Sequence, residues 1–312
     1  MDSELINSIE GKKRELDRHR PLNASILRKL EEEFSLAWTY NSNAIEGNTL
    51  TLQETELVIN AGITVGGKTV NEHLEAINHV KGIDFLRNIV KSRTDITEEN
   101  IKEMHKIILS SIDDEEAGNY RTTNVRIVGA NHIPPQSMKI PRLMKEFIEW
   151  YYENERKLSI SEMASELHYK FVMIHPFIDG NGRVARLLMN LYLMRNGYPP
   201  AIILKVDRKR YYRVLNEANI GRKEGLEKFI GRAIERSLIL YLNSIEPNAS
   251  EDKMFISLKD AAIICEYSQE YLSLLARQGK IAAVKINRNW MTTKEAIEEY
   301  TQVHGRNDTG SF

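Results

Sequence analysis

His175-Pro176-Phe177-Ile178-Asp179-Gly180-Asn181-Gly182-Arg183-Val184-Ala185-Arg186 is the stretch on which the reading of this chain turns. It holds a titratable base, a carboxylate, a glycine-flanked amide and two arginines, and helical sequence follows directly. A helix N-terminus presents unpaired N–H groups and about half a positive charge, a ready site for an anion. Gly180 and Gly182 remove the side chains that would keep a phosphate from those amides. Asp179 at the lip suits Mg²⁺, which takes carboxylate and phosphate oxygens, and His175 suits general-base work near neutral pH. Arg186, read as lying in the first helical turn, opposes the macrodipole by ~0.3–1 kcal/mol, so a function or a compensating partner is expected for it. A P-loop is excluded, because no strand precedes the glycines and no Gly-Lys-Ser/Thr follows them.

Outward from this run the chain reads as mostly helix. Ile26, Leu27, Leu30, Phe34 and Trp38 form one apolar stripe, and Thr51 with Glu54 predicts a capped helix ending near Gly62. Helices are also predicted over 71–90 and 97–110. Val125-Arg126-Ile127-Val128 followed by Gly129 and His132-Ile133-Pro134-Pro135 predicts a short hairpin, its second arm an exposed edge. Ser159 with Glu162 caps the helix that Pro176 stops near His175, and a further helix runs from about Gly182 to Arg195. Helical sequence continues to about Ser244; the polar, turn-rich run from Glu246 to Asp252 reads as a linker. His105, His132 and His168 read as packing or surface residues, and the basic-aromatic run Asp207–Tyr212 reads equally as a helix entering the core or as one lining a pocket.

The 312 residues are 42% hydrophobic and 28% charged with a formal net charge of -1, so no overall field favours nucleic acid or anionic lipid. Cys265 is the only cysteine, so no disulfide forms within the chain and a reducing compartment is expected. The first residues lack the pattern of a signal peptide, and no apolar run approaches the ~20 residues that span a bilayer. The expected setting is bacterial and cytoplasmic, with no membrane partner.

The run from His175 to Arg186 resembles the signature of the Fic (filamentation induced by cAMP) family, His-x-Phe-x-Asp/Glu-Gly-Asn-Gly-Arg-x-x-Arg, at every specified position. Gly118-Asn119-Tyr120-Arg121 and the 125–128 arm resemble the family's glycine-Tyr-Arg segment and target-docking flap. The resemblance covers about residues 95 to 244 and implies the helical Fic core with a short β-hairpin flap. It implies that His175 takes the proton of a Ser, Thr or Tyr hydroxyl on a target protein, whose oxygen attacks the α-phosphate of ATP. Asp179 would hold Mg²⁺, Gly180, Asn181 and Gly182 would form the anion hole, and Arg183 and Arg186 would meet the β- and γ-phosphates. Phe177 would anchor the loop, and Val125, Arg126, Ile127 and Val128 would hold the target by strand addition.

Ser42-Asn43-Ala44-Ile45-Glu46-Gly47 carries a second pattern. Glu46 stands before a glycine that looks like a helix C-terminus, a place where a carboxylate faces the wrong end of a dipole. By itself this is a common exposed Glu. It resembles the Fic inhibitory motif, Ser/Thr-x-x-x-Glu-Gly/Asn, with Ser42, Glu46 and Gly47 in place, and implies an N-terminal inhibitory helix whose Glu46 pairs with Arg186. Family relatives also remove AMP with this glutamate, or transfer phosphate, UMP or phosphocholine. These remain alternatives to AMP transfer, as does a DNA-binding regulator whose core senses nucleotide.

From Phe255 to His304 two short helices, a small wing around Asn287-Arg288-Asn289 and a last helix resemble a winged helix-turn-helix. Weak DNA binding through Ser268, Gln269, Ser273 and Arg277 and a target-recruiting role both fit, because six Lys/Arg face six Asp/Glu there. The expected division is 1–94 with the inhibitory helix, 95–245 as the catalytic core, 246–254 as linker and 255–305 as the small module. A homodimer is left open.

Overall fold

Three helices begin on reciprocal capping boxes, Thr51 with Glu54, Thr69 with Glu72 and Ser159 with Glu162, each satisfying two backbone donors that a helix start leaves open. The computed structural model describes residues 3–245, 256–278, 280–281, 283–286 and 289–304. The chain forms two compact units, residues 1–13 with 23–237 and residues 14–22 with 238–312.

The larger unit is all helix: α1 (Ser3–Arg18, in its first part), α2 (Ala24–Glu46), α3 (Leu52–Ala61), α4 (Val70–Ser92), α5 (Glu98–Leu109), α6 (Ile140–Asn154), α7 (Ile160–Ile174), α8 (Asn181–Arg195), α9 (Arg208–Ala218) and the start of α10 (Glu224–Ile245). Helix α8 sits at its centre. Val184, Ala185, Leu187, Leu188, Met189, Leu191 and Leu193 are all fully buried, so this helix is apolar around most of its circumference. It packs on α7 and also meets α2, α4 and α5. The two arginines near its start are therefore delivered into the interior rather than to solvent.

Helix α2 runs without interruption from Ala24 to Glu46, so the apolar stripe of Leu30, Phe34 and Trp38 and the Ser42–Glu46 segment belong to one rod. Gly47 ends it in the left-handed region, φ 115°.

Residues 125–128 do not form the predicted β-hairpin arm. Residues 121–136 are irregular, with bends at Thr122, Thr123 and Asn131, a turn at Val128–Gly129 and no strand ladder. Pro134 and Pro135 have no N–H to donate, and the tip is tied elsewhere. Asn131 N–H donates to Asn216 Oδ1 (3.2 Å), Asn131 Nδ2 to the Asn216 carbonyl (3.0 Å), Asn216 Nδ2 to the Gly129 carbonyl (3.2 Å), and Asn219 Nδ2 to Asn131 Oδ1 (2.8 Å).

In the second unit, β1 (Ile256–Ser257), α11 (Leu258–Ile264), α12 (Gln269–Gln278), β2 (Ala283–Ile286), β3 (Asn289–Thr292) and α13 (Lys294–His304) surround Leu258, Ala261, Leu272, Leu275, Ile281 and Ile297. The sheet order is β1-β3-β2, antiparallel throughout, one strand more than the predicted wing. The predicted linker 246–254, Phe255, Gly279, Ala282, Asn287 and Arg288 lie outside the described residues. No helix among the described residues is long and apolar enough to cross a membrane.

Candidate active site

Pro176 disfavours the helical region for the residue before it, and α7 ends at Ile174 accordingly. His175 takes a left-handed conformation, φ 50° and ψ 60°, with its N–H on the Phe171 carbonyl. For a residue other than glycine this costs ~1–2 kcal/mol and persists where the surroundings impose it. Arg121 imposes it here. Buried to 2% exposure, its Nε donates to the His175 carbonyl (2.8 Å), Nη1 to Thr123 (2.9 Å) and Nη2 to Pro135 (2.6 Å), while its backbone N–H takes Pro176 (3.0 Å). One side chain thus joins the His175 loop to both ends of the flap.

His175 Nδ1 lies 3.4 Å from the Val172 carbonyl, which can only accept, so a proton there leaves Nε2 with the lone pair. Burial pushes the imidazole pKa down to about 4; the Val172 contact and Glu46 oppose this, while Arg121 and His132 add to it. The ring is neutral, and a base, across the physiological range.

Phe177 is fully buried, its ring 3.6 Å from that of His105 and parallel to within 3°. Asn181 and Phe177 exchange two bonds: Phe177 N–H to Asn181 Oδ1 (3.0 Å) and Asn181 Nδ2 to the Phe177 carbonyl (2.8 Å). The Asn181 side chain is therefore spent on loop structure, and only its backbone amide faces the role expected of it. Gly180 (φ 74°) precedes α8 without any side-chain cap, so the amides of Asn181, Gly182 and Arg183 lack helical partners. A Cβ at Gly182 would collide with Glu46 Oε1 and stand 3.2 Å from Arg186 Nη1.

The positions of the arginines differ from expectation in one respect. Helix α8 starts at Asn181, which puts Arg183 in the first turn and Arg186 in the second. The dipole penalty thus falls on Arg183, and acidic partners answer it: Nη2 donates to Asp179 Oδ2 (3.0 Å) and Nη1 to Glu75 Oε1 (3.2 Å). Arg186, 2% exposed, donates through Nε to Ser42 Oγ (3.0 Å) and through Nη2 to the Ser42 carbonyl (2.9 Å) and Glu46 Oε1 (2.7 Å). Burial opposes its charge, and the Glu46 carboxylate more than offsets that, raising its pKa above the ordinary arginine value.

Helix α9 completes the enclosure. Arg208 Nε donates to the Ile45 carbonyl (2.6 Å), capping the C-terminus of α2 with a cation. A cavity of about 410 Å³ is bounded by His175, Gly182, Arg186, Glu46, Tyr212 and the 127–130 flap, a size suited to a nucleotide-like ligand. The Asp207–Tyr212 run thus borders the cavity through Arg208, Tyr211 and Tyr212. His132 lines the cavity wall and meets the Met173 carbonyl (2.9 Å), and buried His168 meets Tyr211 (2.8 Å) as a packing residue. Glu75 and Asn216 had no signal in the sequence, because each meets its partner across more than 80 residues. Asp179, 70% exposed at its side chain, offers one carboxylate, and no group of three potential ligand residues is assembled among the described residues.

Comparison with known proteins agrees with this geometry. The Fic/DOC family pattern matches residues 95–193. A Protein adenylyltransferase Fic of Nematostella vectensis is 37% identical over 246 residues, 78% of this chain and 57% of that protein. Solved structures of a Fic domain containing signaling protein from Bacteroides thetaiotaomicron (27% identity, TM-score 0.73, 78% of this chain and 98% of that one) and of Fic-1 from C. elegans (31% identity, TM-score 0.72, 79% and 74%) share the fold. The chain spans little more than half the length of the curated relatives it matches. The central α8, the loop before it and the extent of these matches together establish that the chain belongs to the Fic/DOC family.

Proposed function

We propose that this protein transfers AMP from ATP to a hydroxyl of a target protein and is held inactive by Glu46. The observation that carries the reading is the pairing of Arg186 with Glu46 Oε1 beside a neutral His175 and an uncapped helix start. In the active form His175 Nε2 takes the proton of a Ser, Thr or Tyr hydroxyl. Its oxygen forms a bond to the α-phosphorus, the bond from that phosphorus to the bridging oxygen breaks, and pyrophosphate leaves. The amides at the start of α8 and the Arg183 and Arg186 guanidinium groups stabilise the phosphate charge, so the protein's share is positioning and electrostatics.

A single exposed carboxylate fits an ion that arrives with the nucleotide, since Mg²⁺ is commonly held by one or two carboxylates plus phosphate and water. Asp179 would hold it, and the ion would neutralise phosphate charge. Its present bond to Arg183 Nη2 keeps that carboxylate oriented. The target segment would lie along 125–128, where Val128 is fully exposed.

The working division is 1–94, 95–245 and 255–305. Weak duplex DNA binding or target recruitment would fit the helices, small sheet and balanced charge of the last segment, and a single cysteine supports a reducing, cytoplasmic setting. The test incubates wild type, Glu46→Gly and His175→Ala/Glu46→Gly with lysate, Mg²⁺ and ATP labelled at the α- or γ-phosphate. Label should pass from the α position only, strongly with Glu46→Gly, weakly with wild type and not at all once His175 is removed. Equal labelling by wild type and Glu46→Gly, or transfer of the γ label, overturns the reading.

A further inference from the structure

His105 sits on α5, outside the His175–Arg186 run, and is fully buried. Its two ring nitrogens meet two different backbone groups. Nδ1 lies 2.9 Å from the Gly118 nitrogen, whose N–H can only donate, so Nδ1 is the acceptor. Nε2 lies 3.0 Å from the Asp179 carbonyl, which can only accept, so Nε2 carries the hydrogen. The tautomer is thereby determined, and no apolar side chain of the same shape could satisfy both groups.

The Asp179 contact has a directional consequence. In a trans peptide the C=O and the following N–H point opposite ways. Turning the Asp179 carbonyl onto His105 directs the Gly180 N–H away from His105. A Cβ on Gly180 would stand 3.3 Å from His105 Cδ2, so the peptide lies tightly against the ring. The ring is pressed on its face by Phe177. At the other nitrogen, Gly118 opens the segment that ends in Arg121, whose guanidinium ties His175 to the flap.

We propose that His105 is a positioning residue that sets the orientation of the 179–180 peptide in the anion-binding loop and links that loop to the base of the flap. It touches no reacting group; it acts through Asp179 and Gly118. Its effect on AMP transfer rests on the function proposed above, whereas its effect on the loop does not.

Two isosteres separate the two bonds. In His105→Gln the amide nitrogen falls near Nε2 and keeps the donation to Asp179, losing the Gly118 acceptor. In His105→Asn the amide oxygen falls near Nδ1 and keeps Gly118, losing Asp179. Amide hydrogen exchange is measured on the nucleotide-free full chain. The Asn variant should exchange faster across 177–182 by about fivefold or more with Gly118 unchanged, and the Gln variant should do the reverse, as expected for loss of one buried hydrogen bond. In the Glu46→Gly background the Asn variant should raise the KM for ATP about tenfold, while the Gln variant stays within about twofold. Identical changes in both variants, or no change in either, overturn the proposal. If the Asn variant does not fold, faster exchange across 177–182 in the Gln variant overturns it alone. Absence of AMP transfer with the exchange pattern intact would sink only the proposed function.

Discussion

Ser42 holds Arg186 with both its hydroxyl and its carbonyl, at 3.0 and 2.9 Å, while Glu46 adds one oxygen at 2.7 Å. Two of these three bonds survive the loss of Glu46, so the arginine stays oriented when its charge partner is removed. Ser42→Ala removes the bond to Nε and leaves a buried guanidinium donor unmatched, at a cost of ~1–3 kcal/mol. In the Glu46→Gly background, Ser42→Ala should therefore raise the KM for ATP about fivefold to tenfold, whereas a serine serving the brake alone would leave it unchanged.

The acid limb of catalysis should lie unusually low. His175 is depressed to about 4, and the base is its neutral form, so activity persists as pH falls and is lost only as pH approaches that value. The Glu46 carboxylate opposes the depression, so Glu46→Gly removes a negative charge that favours the protonated ring and moves the limb no higher. The profile of kcat/KM against pH for that variant, which reports the free enzyme, should be flat between pH 8 and 6. A limb centred on the ordinary histidine value would contradict the structure.

Acid should also destabilise the fold. His79 and His168 are completely buried, and desolvation lowers both from 6.5 to about 3. The unfolded chain takes up these protons below 6.5 while the native chain does not. Stability from this source is complete above 6.5 and declines as pH falls toward 3, by up to ~1.4 kcal/mol per pH unit for each ring. His168 also serves Tyr211, so His79→Gln, beside Thr39 (3.1 Å), is the cleaner variant. Its urea midpoint should depend less on pH between 6 and 4 than that of the wild type.

The asparagine clasp makes the flap a separable element. Asn131 engages Asn216 and Asn219 through three bonds. Asn131→Ala should raise amide exchange across 125–133 and raise the KM for target severalfold in the Glu46→Gly background, with kcat nearly unchanged. A fall in kcat with target KM unchanged would show that the clasp acts on the phosphate site instead.

The capping boxes at Thr51 and Ser159 and the helix end at Gly47 were legible because each is a local pattern with one physical meaning, whereas the anchoring role of Phe177, which is fully buried, came only from the family resemblance. Arg186 lies beyond the first turn of α8 whether the helix starts at Gly182, as the sequence predicts, or at Asn181, as observed, so counting along the helix assigns the dipole penalty to Arg183 in either case. The flap resembles a hairpin by its glycine-containing turn, yet its tip bonds to Asn216 of α9 and to Asn219 just after that helix, 85 residues and more away. His105 gave no sign beyond being a histidine on an amphipathic helix, because its partners are two backbone groups that only the fold brings to it.

Arg186 Nη1 is buried and finds no hydrogen-bond partner among the described residues. The closed arrangement therefore leaves one strong donor unanswered beside a cavity that fits a phosphate chain. Under the function proposed above, Glu46 would compete with the nucleotide for the same guanidinium, and phosphate oxygens would offer Nη1 the acceptor that Glu46 does not. The resting activity should accordingly rise in a graded way with ATP concentration, so that the chain reads nucleotide level continuously rather than switching at a threshold.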